Sequence, residues 1–381
     1  MKKVLILGST GSIGTQALEV IAASEELQAI GLAAGSGWEL ALEQAREHGV
    51  PAIALADSDA AERARADWHG QVLAGEEGVR ELIANSGADL VLNGIVGAAG
   101  LASTVVALTE GIDVALANKE SLVVGGELVM ALAEATDSRL LPVDSEHSAL
   151  YQLIAGEAPG TVEKLVLTAS GGPFRGRDDL GDVSVEDALA HPTWEMGGRI
   201  TIDCATLMNK GFEAIEAHHF FAVPYERIDV VVHPQSLVHS LIQLNDGSSL
   251  AHLGYPDMRV PISYALNYPQ RADVDLPQLD LAAAGELTFE QPDLETFACL
   301  RLALEAGEAG GTAPCVLNAA DEVAVAAFLE ARIPFTGIAA VIERVLEEMP
   351  AQPITHFDDL FATDAEARER SVEQIAGLTT V

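Results

Sequence analysis

Val4-Leu5-Ile6-Leu7-Gly8-Ser9-Thr10-Gly11-Ser12-Ile13-Gly14 is the stretch that decides the fold. Four apolar residues run into a glycine, and residues 12–23 then carry a helical pattern. The reading is a short buried strand, a Gly-rich turn and a helix. Glycines let a backbone approach a pyrophosphate, whose charge the positive helix N-terminus favours. The spacing is GxxGxxG rather than GxGxxG, and the same turn taken alone also serves as a plain strand–helix connection.

Outward from that turn the pattern repeats. Strands are expected at 27–34, 52–56, 89–95, 113–117 and 140–143, with helices at 38–47, between 95 and 113, and at 121–135. Strands alternating with crossover helices specify an α/β fold, a Rossmann-like doubly wound parallel sheet. Beyond Asp144 the pattern becomes α+β. A helix is expected at 149–154, strands at 164–169 and 228–233, and a hairpin of 240–244 and 248–253 about Asn245-Asp246-Gly247. Residues 171–182 are rich in Gly, Pro, Arg and Asp, residues 269–292 read as a linker, and from 295 onward the periodicity is helical. The expected divisions are 1-143, 144-270, 271-292 and 293-381. No internal repeat or low-complexity tract interrupts them.

The charge balance narrows the partners. Asp plus Glu number 58 against 21 Lys plus Arg, a formal net charge of -37. Such a surface repels nucleic acid and anionic membranes. It is best screened at high salt, where the Debye length falls to about 3 Å, which points to a halophilic source. No apolar run is long enough to span a bilayer, and the apolar start runs straight into the glycine turn, so a cytoplasmic protein is expected. Cys204, Cys299 and Cys315 form no CxxC pair, so reduced thiols are expected rather than a disulfide framework.

Several clusters carry chemistry. Asp144-Ser145-Glu146 follows an expected strand. On extended backbone its two carboxylates face one side, as a hard divalent cation requires, although a solvated loop reads the same way. Residues 203–213 gather Cys204, Asn209, Lys210 and Glu213, an amide and an ammonium suited to a phosphate beside a carboxylate suited to a metal. A surface helix with solvated charges fits the same composition. His191-Pro192-Thr193-Trp194-Glu195-Met196-Gly197-Gly198 suits a mobile lid, or equally a loop with a packed Trp. Ser170-Gly171-Gly172 offers a hydroxyl and backbone amides to an anion. The end of the second strand, including Gly35, Ser36 and Gly37, carries no acid, which favours NADP over NAD by removing a repulsion. The adjacent pair His218-His219 cannot share one helix face and reads as structural.

These stretches resemble the 1-deoxy-D-xylulose 5-phosphate reductoisomerase family. The resemblance rests on GSTGSIG at 8–14, ANKESLV at 117–123, LPVDSEH at 141–147, SGGPFR at 170–175, HPTWEMG at 191–197 and the 205–213 segment. It continues through HPQSLVHS at 233–240, GYPDMR at 254–259 and NAADEVAVAAFL at 318–329, in the family's order along nearly the whole chain. It implies an oxidoreductase and isomerase of isoprenoid synthesis that turns the sugar phosphate into 2-C-methyl-D-erythritol 4-phosphate with NADPH and Mg²⁺ or Mn²⁺. It also implies a homodimer with a cofactor domain, a central α+β catalytic domain and a C-terminal helical domain. Thr10, Gly11, Ser12 and Ile13 would hold the pyrophosphate, with Asn118, Glu120 and Gly197 near the cofactor. Asp144, Glu146 and Glu213 would bind the metal, and Lys119 and Ser145 the sugar backbone. Ser170, Asn209 and Lys210 would hold the phosphate with His191 close by, and Trp194 and Met196 would cover the substrate. Two positions depart from the family pattern: Cys204 stands where a phosphate-bonding Ser is usual, and Ser36 where a basic residue is. Alternatives are an NADP-dependent oxidoreductase with another substrate, and a non-catalytic NADP(H)-binding regulator.

Overall fold

The computed structural model describes residues 1–194 and 196–378; Glu195 of the lid sequence and the last three residues lie outside them. Contacts gather the chain into two compact units.

The first unit comprises Met1–Ser121, Val129–Ser148 and Asp257–Pro277. Its strands are β1 (Lys2–Leu7), β2 (Leu27–Ala34), β3 (Ala52–Leu55), β4 (Gln71–Ala74), β5 (Leu90–Asn93), β6 (Asp113–Leu116) and β7 (Leu140–Pro142). They form one parallel sheet in the order β4-β3-β2-β1-β5-β6-β7. Val4, Leu5, Ile6 and Leu7 of β1 are wholly buried, as a central strand covered on both faces requires. The chain runs outward from β1 to β4, then returns to β5 on the other side of β1. That reversal opens a crevice beyond the ends of β1 and β5, where doubly wound sheets take their ligands. β4 and its flanking helices, Ser58–Asp67 and Gly75–Asn85, were not expected from the sequence. The strand is only four residues long, and the first helix buries nothing larger than Ala60, Ala61 and Ala64. Asp57 starts that helix by accepting from Ala60 N at 2.7 Å. The late helix Arg259–Asn267 also belongs here, and Lys2 Nζ donates to Leu266 O at 2.8 Å.

The second unit comprises Leu122–Leu128, Ala149–Pro256 and the chain from Gln278 on. Its sheet has the order β11-β10-β8-β9, from β8 (Val162–Ala169), β9 (Ile228–Val232), β10 (Val238–Leu244) and β11 (Ser249–Leu253). The β8–β9 pair is parallel and the others antiparallel. The expected hairpin joins β10 to β11, with Gly247 at φ 86 in the turn. Helices Ala298–Ala309, Ala313–Leu329, Phe335–Glu348 and Phe357–Leu378 make up the C-terminal part. Most of them share one apolar core with Gly198–Ala205 and Met208–Phe221, centred on Phe212, Phe328, Phe335 and Ile338. The end of the stretch read as a linker is tied down. Val232 and Glu290 exchange backbone hydrogen bonds, and His233 stacks on Phe289 and donates from Nδ1 to Thr288 O at 2.9 Å.

Candidate active site

The turn after β1 is built from backbone. Gly8 has φ 77, and a Cβ there would stand 2.5 Å from Gly94 O. A Cβ on Gly14 would stand 2.3 Å from Gly8 O, so the helix Ser12–Ala22 packs onto the turn only because position 14 is bare. Gly11 caps that helix and no side chain competes for its first N–H groups. Gly11 and Ser12 are exposed, and Gly35 has no atom within 4 Å of a built Cβ. Thr10 lies against Gly37. This cradle fits a dinucleotide pyrophosphate. Ser36 is exposed at the end of β2.

Asn118 and Glu120 are buried and brace the segment after β5. Asn118 Nδ2 donates to Ile95 O, Gly97 O and Glu120 Oε2, and Glu120 Oε1 accepts from Gly97 N at 3.1 Å. A Cβ on Gly100 would lie 2.4 Å from Asn118, so the small residue lets that side chain in.

At the end of β7 the expected extended backbone is a helix instead. Asp144 precedes Ser145–Ile154, which starts at residue 145 rather than 149. Asp144 Oδ1 accepts from Glu146 N at 3.2 Å, as a helix-starting carboxylate does. The helix N-terminus thus wins over the strand continuation and places Glu146 in its first turn. Lys119 Nζ donates to Asp144 Oδ2 at 3.1 Å, and the fully buried His147 has Nδ1 3.2 Å from Asp144 Oδ1. Ser145 Oγ bonds Glu146. The sequence reading gave His147 no role; its signal is the three-residue spacing from Asp144. Carboxylate oxygens from Asp144 and Glu146 match the preference of Mg²⁺ or Mn²⁺.

In the second unit, β8 is followed by Ser170, Gly171 (φ 86) and Gly172 (φ 67). A Cβ on Gly172 would meet Cys204 O at 2.8 Å, so this bare turn lies against the last turn of Gly198–Ala205. His191 Nδ1 accepts from Thr193 N at 3.2 Å and Trp194 N at 2.9 Å, so that nitrogen carries the lone pair. Burial pushes the His191 pKa down, which keeps the ring neutral and its proton on Nε2. Nε2 therefore donates to Ser170 Oγ at 3.0 Å, and Gly172 N donates to the same oxygen at 3.2 Å. With both lone pairs engaged, the Ser170 hydrogen is directed to an incoming acceptor. Met196 is half-buried and Gly197 exposed.

The helix Met208–Phe221 is buried on nearly every side, including Asn209, Lys210 and Glu213. Glu213 accepts from Asn209 Nδ2 at 2.6 Å and pairs with Lys210. Spacings of four and three residues put all three on one face. A Cβ on Gly211 would overlap Ala303 Cβ at 2.3 Å, so the helix is locked against Ala298–Ala309. The surface-helix alternative is excluded. The rings of His218 and His219, read as structural, do meet, edge to face at 4.9 Å, because imidazole reaches across one residue step. His218 Nδ1 donates to Val223 O at 2.8 Å and its ring stacks on Tyr225.

Three family models match the chain in order. The one described as 1-deoxy-D-xylulose 5-phosphate reductoisomerase covers residues 4–126, its C-terminal domain 140–221, and the DXP reductoisomerase C-terminal domain 253–370. The 1-deoxy-D-xylulose 5-phosphate reductoisomerase of Symbiobacterium thermophilum is 50% identical over 383 residues, 98% of this chain and 99% of that protein. That of Chloroherpeton thalassium is 49% identical over 374 residues, 97% of each chain. Among solved structures, a DOX-P reductoisomerase in complex with NADPH, fosmidomycin and magnesium is 38% identical with a TM-score of 0.92, covering 99% of this chain and 98% of that one. The Zymomonas mobilis enzyme in complex with NADPH is also 38% identical, with a TM-score of 0.90 over 98% and 99%.

Proposed function

This chain belongs to the 1-deoxy-D-xylulose 5-phosphate reductoisomerase family, and from that premise we propose which of its residues perform the reaction. It is an NADPH- and divalent-metal-dependent enzyme that rearranges and reduces 1-deoxy-D-xylulose 5-phosphate to 2-C-methyl-D-erythritol 4-phosphate. The observation that carries this is kinship over essentially the full length of both chains.

Thr10, Gly11, Ser12 and Ile13 hold the NADPH pyrophosphate on the helix N-terminus, while Asn118 and Glu120 keep the neighbouring loop in shape. Asp144, Glu146 and Glu213 bind Mg²⁺ or Mn²⁺. Lewis-acid polarisation of two substrate oxygens comes from that cation when bound, and the hydride from NADPH. Lys119 and Ser145 bind the sugar backbone. Ser170, donating the hydrogen that His191 and Gly172 have oriented, grips the phosphate with Asn209, Lys210 and Cys204. Trp194 and Met196 close over the substrate and exclude water, with Gly197 near the cofactor. The grip on the unreactive phosphate end supplies binding energy that orients the reacting carbons. Lys119 and Lys210 give local positive charge on a chain whose net charge is -37.

The same reading extends to assembly and setting. The functional parts are 1-143 for NADPH, 144-270 for catalysis, the connection 271-292 and the helical 293-381. A homodimer is supported by β11, an edge strand whose Leu250 and Leu253, with nearby Tyr255, are exposed. The charge of -37 supports a salt-loving enzyme. Cys204, Cys299 and Cys315, none of them in a disulfide, suit a reducing cytoplasm. No helix among the described residues is long and apolar enough to cross a membrane.

The test is NADPH oxidation with 1-deoxy-D-xylulose 5-phosphate, with and without Mg²⁺ or Mn²⁺, at low and molar KCl. Turnover that requires both substrate and metal is expected, and it should rise with salt. Folded protein that oxidises no NADPH under any of these conditions would overturn the reading.

A further inference from the structure

The helix Gly198–Ala205 links two parts of the substrate site in the second unit. It begins where the lid sequence ends, and it delivers Cys204 one step before the helix of Asn209 and Lys210. Its second residue, Arg199, is bolted to the deeply buried helix Ala313–Leu329. Arg199 Nη1 donates to Glu322 Oε1 at 3.0 Å, and Nη2 donates to Asn318 Oδ1 at 3.0 Å and Asp321 Oδ2 at 3.5 Å. Its Nε lies 3.7 Å from Asp203 Oδ2, one turn along its own helix. Asn318, Asp321 and Glu322, three and four residues apart, form one face. Glu322 is held from its other side by Arg368 at 2.7 Å, and Arg368 also pairs with Asp364.

Few geometries fix a helix so closely. A guanidinium is planar, and this one donates from both Nη atoms while its Nε edge faces the Asp203 carboxylate, so rotation or sliding of the helix breaks several bonds together. The Arg199 side chain is 15% exposed and that of Asp321 is 0%. Burial, then the Asp203 charge, push the Asp321 carboxyl well up, so the cluster avoids holding every carboxylate ionised around one cation. Such a buried ionic cluster is weak evidence of added stability and better evidence of a specified arrangement.

We propose that Arg199 is a positioning residue: by clamping Gly198–Ala205 to Asn318, Asp321 and Glu322, it sets the base of the lid and the phosphate-gripping Cys204. The inference rests on the reading that the lid and Cys204 serve the sugar phosphate. Arg199 touches no substrate; it acts through the helix it holds. Because the clamp acts on the phosphate end and not on the reacting carbons, a partial loosening should appear first as weakened substrate binding, a raised KM with kcat little changed.

Removing Arg199 alone leaves buried carboxylates facing one another and endangers folding. The test therefore uses the Arg199→Met/Asp321→Asn double variant, which removes cation and buried acid together, with Arg199→Lys as the conservative variant. Expected for the double variant are a melting temperature near that of the parent, an unchanged NADPH Kd, and a KM for the sugar phosphate raised about tenfold with kcat little changed; Arg199→Lys should fall between. An unchanged KM in the folded double variant overturns the proposal. So does a loss of activity that merely tracks the folded fraction, with KM intact. Should the parent itself fail to turn over the sugar phosphate, the functional reading falls, but the clamp is still decided by protease nicking within residues 191–197. Faster nicking in the double variant supports it, and equal rates overturn it.

Discussion

The proposed cradle after β1 and the proposed anion grip beside β8 would bind the same kind of group by opposite means. The cradle is made of backbone: bare positions at Gly8 and Gly14, a helix start capped by Gly11 with no side-chain bond, and a loop braced by Asn118. The proposed grip uses side chains at 170, 191, 204, 209 and 210: Asn209 and Lys210 are buried, and half-buried Ser170 is held by His191. A backbone site tolerates many side chains but no added Cβ at its critical glycines. A side-chain site depends on particular atoms and on the packing that aims them.

The sharpest break of this contrast is Lys210→Ala set against Thr10→Ala. Losing Lys210 leaves Glu213 buried without its ammonium partner, a change worth about 3–5 kcal/mol in stability. It also removes a charge-assisted bond to the phosphate, so kcat/KM should fall by roughly 10²-fold or more. Thr10→Ala should shift the NADPH Kd by no more than about twofold, because the N–H groups of the turn remain. Titration calorimetry and steady-state kinetics check both; comparable losses at the two positions would sink the distinction.

Acid should separate the units next. Burial, aided by the neighbouring His218, pushes His219 down to about 4 from its ordinary 6.5. The unfolded chain then takes up the proton first, so stability is whole above about pH 6.5 and is lost as pH falls through about 4. The loss is bounded at roughly 3 kcal/mol. Burial of His191 adds in the same direction. Urea midpoints from pH 8 to 4 should drop for the parent and drop less for His219→Gln. An identical acid slope in the two proteins would show that the loss originates elsewhere.

The two sites also differ in how much the sequence discloses. Gly8, Gly11 and Gly14 sit within seven residues, their spacing is local, and the strand–turn–helix context follows from apolar patterning; right-handed crossovers then narrow the sheet orders, but the reversal between β4 and β5 is not written in the spacing. β4 escaped because Gln71–Ala74 is short and its preceding helix buries only alanines. The grip was legible as a site only through resemblance. Nothing in the spacing of Lys210 and Glu213 says that their helix is buried all round, since that depends on Ala303 crossing at Gly211. Asp144 misled for a related reason. The carboxylate that reads as the end of a strand also starts the next helix, and capping outweighed strand continuation. Arg199 gave no signal because the helix it is clamped to, with Asn318, Asp321 and Glu322, lies more than a hundred residues away.

Gly14→Val probes the cradle directly. The added Cβ would meet Gly8 O at 2.3 Å, a backbone atom that cannot swing aside. Overpacking of this kind costs about 1–3 kcal/mol. NADPH affinity should fall with it, while binding of inorganic phosphate to the grip stays the same. Intact NADPH affinity in this variant would mean that the turn is not where the pyrophosphate rests.

Cys204→Ser should improve the grip. A hydroxyl donates better than a thiol, and one recovered hydrogen bond is worth about 1 kcal/mol. KM for the sugar phosphate should drop by about fivefold with kcat unchanged, and Gly172 packs on the backbone of position 204, so the fold has no reason to change. If KM does not move, the thiol does not face the phosphate.

The smallest effect belongs to Ser36→Arg, and it returns to the backbone site. Ser36 is exposed at the end of β2, beside Gly35 and Gly37 and with no acid in that segment. The position therefore lacks the repulsion that would reject a 2'-phosphate, and equally lacks the cation that would attract one. An exposed guanidinium there should add no more than about 1 kcal/mol, less at high salt. The ratio of NADH to NADPH Kd should rise by up to about fivefold at low salt and lose most of that gain in molar KCl, with the substrate KM untouched. A gain that persists in molar KCl would show the new side chain binding in a desolvated pocket rather than at a screened surface. A parent that already rejects NADH strongly would show that another residue recognises the 2'-phosphate, and the cradle would then be less purely a backbone site than its glycines indicate.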